Sequence, residues 1–254
     1  MQKLCRALGT YLVIWVVGLT AGTVFWLFVA LRLIKIEGYW KTWWAIYQGN
    51  HALLSNHPTM RDPLFFVLMW WPWCILLPHK FFIWSLPGKN YFRDFMLKCF
   101  GKENGREFPE WMYPIFHCVP VERDGSNWRE VLRETKSWLK LGRTFVIFGE
   151  RGRTGSRPRS ADAPEVVFIY SEDGSRKIRT IEAALIKAAA NAGASFSTVW
   201  IDMPFWEEDD SFGLRTWLRE WHQVTITFSD SYLPDPELKA DALNTDVAQR
   251  ILTT

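Results

Sequence analysis

The chain has 254 residues and a mass of 29.8 kDa, enough for one α/β domain with a core of its own plus a small appendage. Its 30 basic and 27 acidic side chains leave a formal charge of +3, which excludes charge-driven nucleic-acid binding as the default basis of function. Cys5, Cys74, Cys99 and Cys118 contain no CxxC pair and no zinc-ligand spacing, so they read as free thiols of a reducing compartment.

The appendage comes first. From Tyr11 to Leu31 no residue is charged, and at about 1.5 Å per residue a helix over these positions spans about 30 Å, the thickness of a bilayer's hydrocarbon core. Lys3 and Arg6 precede the run and Arg32 and Lys35 follow it. Its length exceeds the apolar region of a signal peptide, and basic residues on both sides leave it without an orientation. Gly18 and Gly22 divide it, which allows a dimerising small-xxx-small face, a bend into a shallow helical hairpin, or simply tolerated glycine. Trp40, Trp43 and Trp44 follow where an interfacial aromatic belt lies. The expected division is a membrane anchor over 1–38, a single span or a hairpin, then one domain over 39–254.

After a linker around Tyr39 to Gly49, short β-prone runs alternate with helical patterns, which predicts an α/β fold with a mixed central sheet flanked by helices. The predicted strands are Ala52 to Ser55, Cys74 to Leu77, Cys118 to Val121, Thr144 to Phe148, Val166 to Tyr170, Thr198 to Asp202 and Val224 to Phe228. Helices are predicted over Asn127 to Leu141 with Ser126 as its cap, over Thr180 to Ala192 ended by Gly193, and over Asp235 to Ile251. Pro63 to Pro78 is uncharged and carries Trp70, Trp71 and Trp73, with Trp84 just beyond. It reads either as core or as a surface seated among lipid headgroups.

The chemistry concentrates in Ser55-Asn56-His57-Pro58-Thr59-Met60-Arg61-Asp62-Pro63. A near-neutral imidazole with a carboxylate fixing its tautomer is the minimum apparatus for taking a proton from an alcohol. Five residues of helix separate two side chains by roughly 140°, so His57 and Asp62 meet only across a bend, which Pro58 and Pro63 favour. No Gly-x-Ser-x-Gly elbow is present, and His117 and Cys118, neighbours on a predicted strand, point to opposite faces. Arg151, Arg153, Arg157 and Arg159 cluster among the turn formers Gly152, Gly155 and Pro158. Guanidinium forks there suit a phosphate or anionic headgroup. An anchored nucleic-acid-binding module built on this loop is the remote alternative.

His57-x4-Asp62, then Val119-Pro120-Val121-Glu122-Arg123-Asp124, then Phe148-Gly149-Glu150-Arg151-Gly152-Arg153-Thr154 together resemble, in order and spacing, three sequence blocks of the glycerolipid acyltransferases, the family of 1-acylglycerol-3-phosphate O-acyltransferase. The resemblance runs from about residue 50 to the C-terminus. It departs from the family pattern at Gly149, where proline is usual, at Arg151, where glycine is usual, and in a fourth block represented at best by Ser197-Thr198-Val199-Trp200-Ile201. The resemblance implies His57 as general base and Asp62 as its orienter, with Arg123, Glu150, Gly152, Arg153 and Thr154 around the acceptor. It further implies a membrane-bound O-acyltransferase moving an acyl group from acyl-CoA or acyl-carrier protein to a lysophospholipid, most simply lysophosphatidic acid, with no cofactor and no metal. A catalytic domain on the cytoplasmic face follows from the free thiols. The alternatives are another lysolipid acceptor, such as a lyso-ornithine lipid, and a non-catalytic lipid-binding membrane protein of the same fold.

Overall fold

The computed structural model describes residues 2–56, 62–86, 113–122, 126–148, 168–179, 183–202 and 224–254. Its centre is a five-stranded sheet of β1 (Ile34–Glu37), β2 (His51–Ser55), β3 (Thr144–Phe148), β6 (Ser195–Asp202) and β7 (Val224–Phe228), in the order β1-β7-β6-β2-β3. β2 lies parallel to β3 and to β6, whereas β7 runs antiparallel to β6 and carries β1 parallel to itself. The sheet is therefore mixed, as the sequence predicts. β2 is buried on both faces, the usual state of a parallel strand covered by helices on each side.

One face of the sheet packs against α6 (Trp128–Lys140), α7 (Ala183–Asn191) and α8 (Ala240–Thr253). On α6, Val131, Thr135 and Leu139 recur every four residues and are fully buried, which is the stripe an amphipathic helix turns inward. Its N-cap is Asn127 rather than the expected Ser126. β4 (Phe168–Tyr170) and β5 (Lys177–Arg179) form a small antiparallel hairpin on this side, with Ile178 reaching the core.

The other face is covered by α3 (Tyr39–Gln48), α4 (Asp62–Leu76) and the short α5 (Pro78–Phe81). Two expectations fail here. The stretch taken as a linker is α3, and the strand expected over Cys74 to Leu77 is instead the last turn of α4 and the residue after it. Phe66, Met69, Trp70 and Cys74 are buried at helical spacing. A helix apolar all round, sandwiched between other layers, shows no sequence periodicity to betray it.

The N-terminal segment is one continuous helix, α1 (Gln2–Val17) and α2 (Thr23–Ala30) joined by a π-helical turn at Gly18–Gly22 whose flanking residues keep right-handed helical angles. It makes no hairpin. By length and composition Leu8–Ala30 can cross a membrane, with a mean hydropathy of 2.2. One face, including Ile14, Gly18, Gly22 and Phe25, is buried, and the two glycines seat the indole of Trp71 from α4. A Cβ on Gly18 would overlap the indole of Trp71, and one on Gly22 would stand 2.9 Å from the ring. The small-residue face is thus occupied within the chain, and the dimerising reading falls. Residues 34–37, grouped with the anchor from sequence, form the edge strand β1 of the central sheet. Trp70 and Trp84 are buried, and Trp73 donates to the hydroxyl of Tyr39 at 2.9 Å, so the tryptophans of α4 serve packing.

Because Trp71 leaves no room for a side chain, Gly18→Leu should destabilise the protein by about 1–3 kcal/mol, lowering its melting temperature in detergent by roughly 2–12 °C. The double variant Gly18→Leu/Trp71→Ala should lose less than the sum of its single substitutions, since the second vacates the space the first fills.

Candidate functional site

In α/β sheets ligands bind beyond the carboxyl ends of the parallel strands. β2 ends at Ser55, which pairs with Phe148 at the end of β3 and with Val199 on β6. Beyond β3 the sheet continues through two single-residue bridges, Trp84 to Phe145 and Ser85 to Cys118, both parallel. They are closed by Trp84 N–H to Thr144 O at 2.9 Å and by Val119 N–H to Ser85 O at 3.0 Å. Carried along this register, Pro120 comes level with Phe148 and Ser55. Ser55, Phe148 and Pro120 thus stand at neighbouring positions along one edge of the sheet, Ser55 two residues before His57, and Phe148 and Pro120 within the third and second sequence blocks.

His57, Arg123, Glu150, Gly152, Arg153 and Thr154 lie outside the described residues, as do Arg151, Arg157 and Arg159 of the arginine cluster. Asp62 opens α4. What the structure describes is the scaffold beneath these positions. Asn56 is 3% exposed, and its amide clasps the backbone of β6, Nδ2 donating to Ile201 O at 2.9 Å and Oδ1 accepting from Ile201 N–H at 2.8 Å. The side chain replaces one rung of the β-ladder where the strand ends, and so fixes the residue preceding His57. Without it, a buried N–H and a buried C=O would go unpaired, each at a cost of about 1–3 kcal/mol. Ser55 Oγ, beside it, is buried with no hydrogen-bond partner among the described residues.

A second amide does similar work at the edge. Asn127 Oδ1 accepts from Glu122 N–H and its Nδ2 donates to Pro120 O, both at 2.9 Å, pinning the segment that leads into Arg123. Neither asparagine stood out from sequence. The available signal was a lone amide directly after an apolar strand or directly before a helix.

The two buried histidines, His51 and His117, belong to the fold. His51 is fully buried at the opposite end of β2, its Nδ1 2.8 Å from Ser195 Oγ, and burial pulls its pKa down to about 3. His117 does not sit on a strand. It takes a left-handed φ of 50°, stacks on Trp84 with ring centroids 4.6 Å apart, and donates from Nδ1 to Phe82 O at 2.8 Å. Burial holds it at about 4. Cys74 and Cys118 are free and buried, and burial drives the Cys118 thiol up to about 12, so neither supplies a thiolate near neutrality. Among the described residues no three His, Cys, Asp or Glu side chains converge as metal ligands do.

No family model matches the chain, and no curated protein matches it. A solved structure, that of the 1-acyl-sn-glycerophosphate (LPA) acyltransferase PlsC from Thermotoga maritima, is similar over 100% of this chain and 97% of that one, at 14% identity and a TM-score of 0.45. The functional reading therefore rests on the chain's own residues.

Both buried imidazoles titrate near pH 6.5 once unfolded. Below that pH the unfolded chain takes up protons the native state refuses. Stability present above pH 6.5 is accordingly lost as the pH falls toward 3 to 4, at about 1.4 kcal/mol per pH unit for each histidine. Denaturant titrations at several pH values should show His51→Gln losing about half of that combined acid slope.

Proposed function

We propose that the chain is a membrane-bound O-acyltransferase that moves a fatty acyl group from an acyl thioester, acyl-CoA or acyl-carrier protein, to the hydroxyl of a lysophospholipid, most simply lysophosphatidic acid. The observation that carries this reading is the shared edge of the sheet, where Ser55, Phe148 and Pro120 stand level two or three residues before His57, Glu150 and Arg123 in the sequence.

A thioester needs no covalent enzyme intermediate, because a thiolate leaves far more readily than an alkoxide. Activating the acceptor is the main task. In this mechanism neutral His57 takes the hydroxyl proton as the oxygen attacks the thioester carbonyl, and Asp62 stabilises the imidazolium. When the tetrahedral intermediate collapses, the C–S bond breaks and the proton passes to the departing sulfur, which restores neutral His57. Arg153, helped by Arg123, holds the acceptor's phosphate, with Glu150 fixing the guanidinium and Gly152 and Thr154 completing the loop. The buried free thiols of Cys74 and Cys118 support a catalytic domain facing a reducing compartment.

Purified His57→Ala should turn over roughly 10²- to 10⁴-fold more slowly with its fold intact, and Asp62→Asn should slow turnover with little change in KM. Wild-type rates in His57→Ala would overturn the assignment. Arg153→Ala should reduce kcat/KM on a phosphorylated acceptor by roughly 10- to 150-fold, and Arg153→Lys should restore only part of it, because the planar fork is lost. An equal loss on an acceptor lacking phosphate would move Arg153 from substrate binding to structure. Lyso-ornithine lipid belongs in the same acceptor panel, since Gly149 and Arg151 depart from the family loop.

A further inference from the structure

Among the described residues, the outer face of α3 is an unusual surface. Trp40, Trp44 and Tyr47, spaced i, i+4 and i+7, are 67%, 54% and 41% exposed, while Thr42, Ala45 and Ile46 on the opposite face are buried. In a helix facing water those outward positions belong to polar residues. Instead they extend an aromatic surface: Trp43 stacks on Tyr47 at 5.4 Å and on Trp44 at 6.1 Å, and Trp40 meets Trp43 at 6.3 Å.

This face continues into the N-terminal helix. Trp26 of α2 meets Tyr39 edge-on at 5.9 Å, and Tyr39 meets Trp40 at 5.3 Å. The side of α1 and α2 turned away from Trp71 exposes Leu8, Leu12, Trp15, Leu19, Val24 and Leu27. Both surfaces lie on the same side of the central sheet. Past the far end of α3, Gly49 packs against Gly142, which Lys80 Nζ approaches, and Arg143 follows with its guanidinium on His79 O, so basic side chains lie near that end of the helix.

We propose that the Trp40–Trp44–Tyr47 face is a second membrane contact, seated in the headgroup region of the leaflet that receives the exposed side of α1–α2. The inference rests on the reading that α1–α2 enters a bilayer, and it adds a defined interfacial surface on the folded domain. Indole and phenol rings pair an apolar body with a polar edge, which suits the boundary between acyl chains and headgroups. The neighbouring Lys80 and Arg143 are complementary to anionic lipid. An exposed aromatic strip of this kind, flanked on α3 only by the exposed polar side chains of Lys41 and Gln48, is otherwise costly to leave in water. With the α1–α2 helix clasped along α4 and α3 held against the same leaflet, the domain lies flat on the surface and does not hang from a flexible stalk.

Site-directed photocrosslinking of the full chain tests this. Benzoylphenylalanine replaces Trp44 or Tyr47 in separate variants. Leu19 serves as a reference on the N-terminal helix, and Tyr170 and Leu233, exposed on the other side of the sheet, serve as controls. Each variant is reconstituted in vesicles of equal parts phosphatidylcholine and phosphatidylglycerol, irradiated, and its adducts identified by mass spectrometry. Lipid adducts at 44 and 47 as well as at 19, and none at 170 or 233, are the expected result. Lipid at 19 alone overturns the α3 contact while leaving the anchor in place. Adducts to a second copy of the chain at 44 or 47 make this face a protein interface and equally overturn it. No lipid at any position removes the membrane reading itself.

Discussion

β2 is hydrogen-bonded on both sides, to β3 and to β6, with Ser55 level with Phe148 and Val199, and the candidate site depends on that double pairing. In a parallel sheet every strand reaches the same edge at its carboxyl end, so the loops that follow adjacent strands emerge together. A slip of one residue would reverse which face each side chain occupies, taking Leu53 out of one core and Ala52 and Leu54 out of the other. Burial on both faces makes such a slip expensive, and the Asn56 amide on Ile201 holds the last rung. The geometry of the loop edge is thus set by core packing rather than by the loops themselves.

A second constraint operates between layers. The aromatic cluster of α3 and α4, with Tyr39 stacked on Trp70 at 4.6 Å and Trp70 fully buried, ties the helices to the sheet and carries α1–α2 on its outer side. The tryptophans of these two helices therefore divide into two populations. Those of α4 fill the space between layers, whereas those on the outer turns of α3 face outward. Composition registers only their total.

That division explains much of what could and could not be read from the chain. β3 and β7 are found at their predicted limits because each is a short β-branched and aromatic run between breakers. α6 was equally legible from its four-residue apolar recurrence. α3 was not, because tryptophans on both of its faces erase the contrast that marks an amphipathic helix, and β1 was missed because Lys35 and Glu37 break a four-residue edge strand into an apparently polar stretch. The motif blocks were visible as local patterns. Asn56 was not, because its role exists only through Ile201, 145 residues further along. Tertiary partners of that separation leave no trace in a window of sequence.

The seating of Trp71 between Gly18 and Gly22 also bears on biosynthesis. The glycine notch is made 53 residues before the ring that fills it, an interval of roughly 3 to 10 seconds at ordinary elongation rates. Throughout that interval the glycine notch of the nascent apolar helix lacks the ring that fills it, and lipid or a chaperone must cover the face that α4 later claims. Completion of the domain then exchanges that temporary cover for Trp71, and the helix passes from a segment that behaves independently to a layer of the fold.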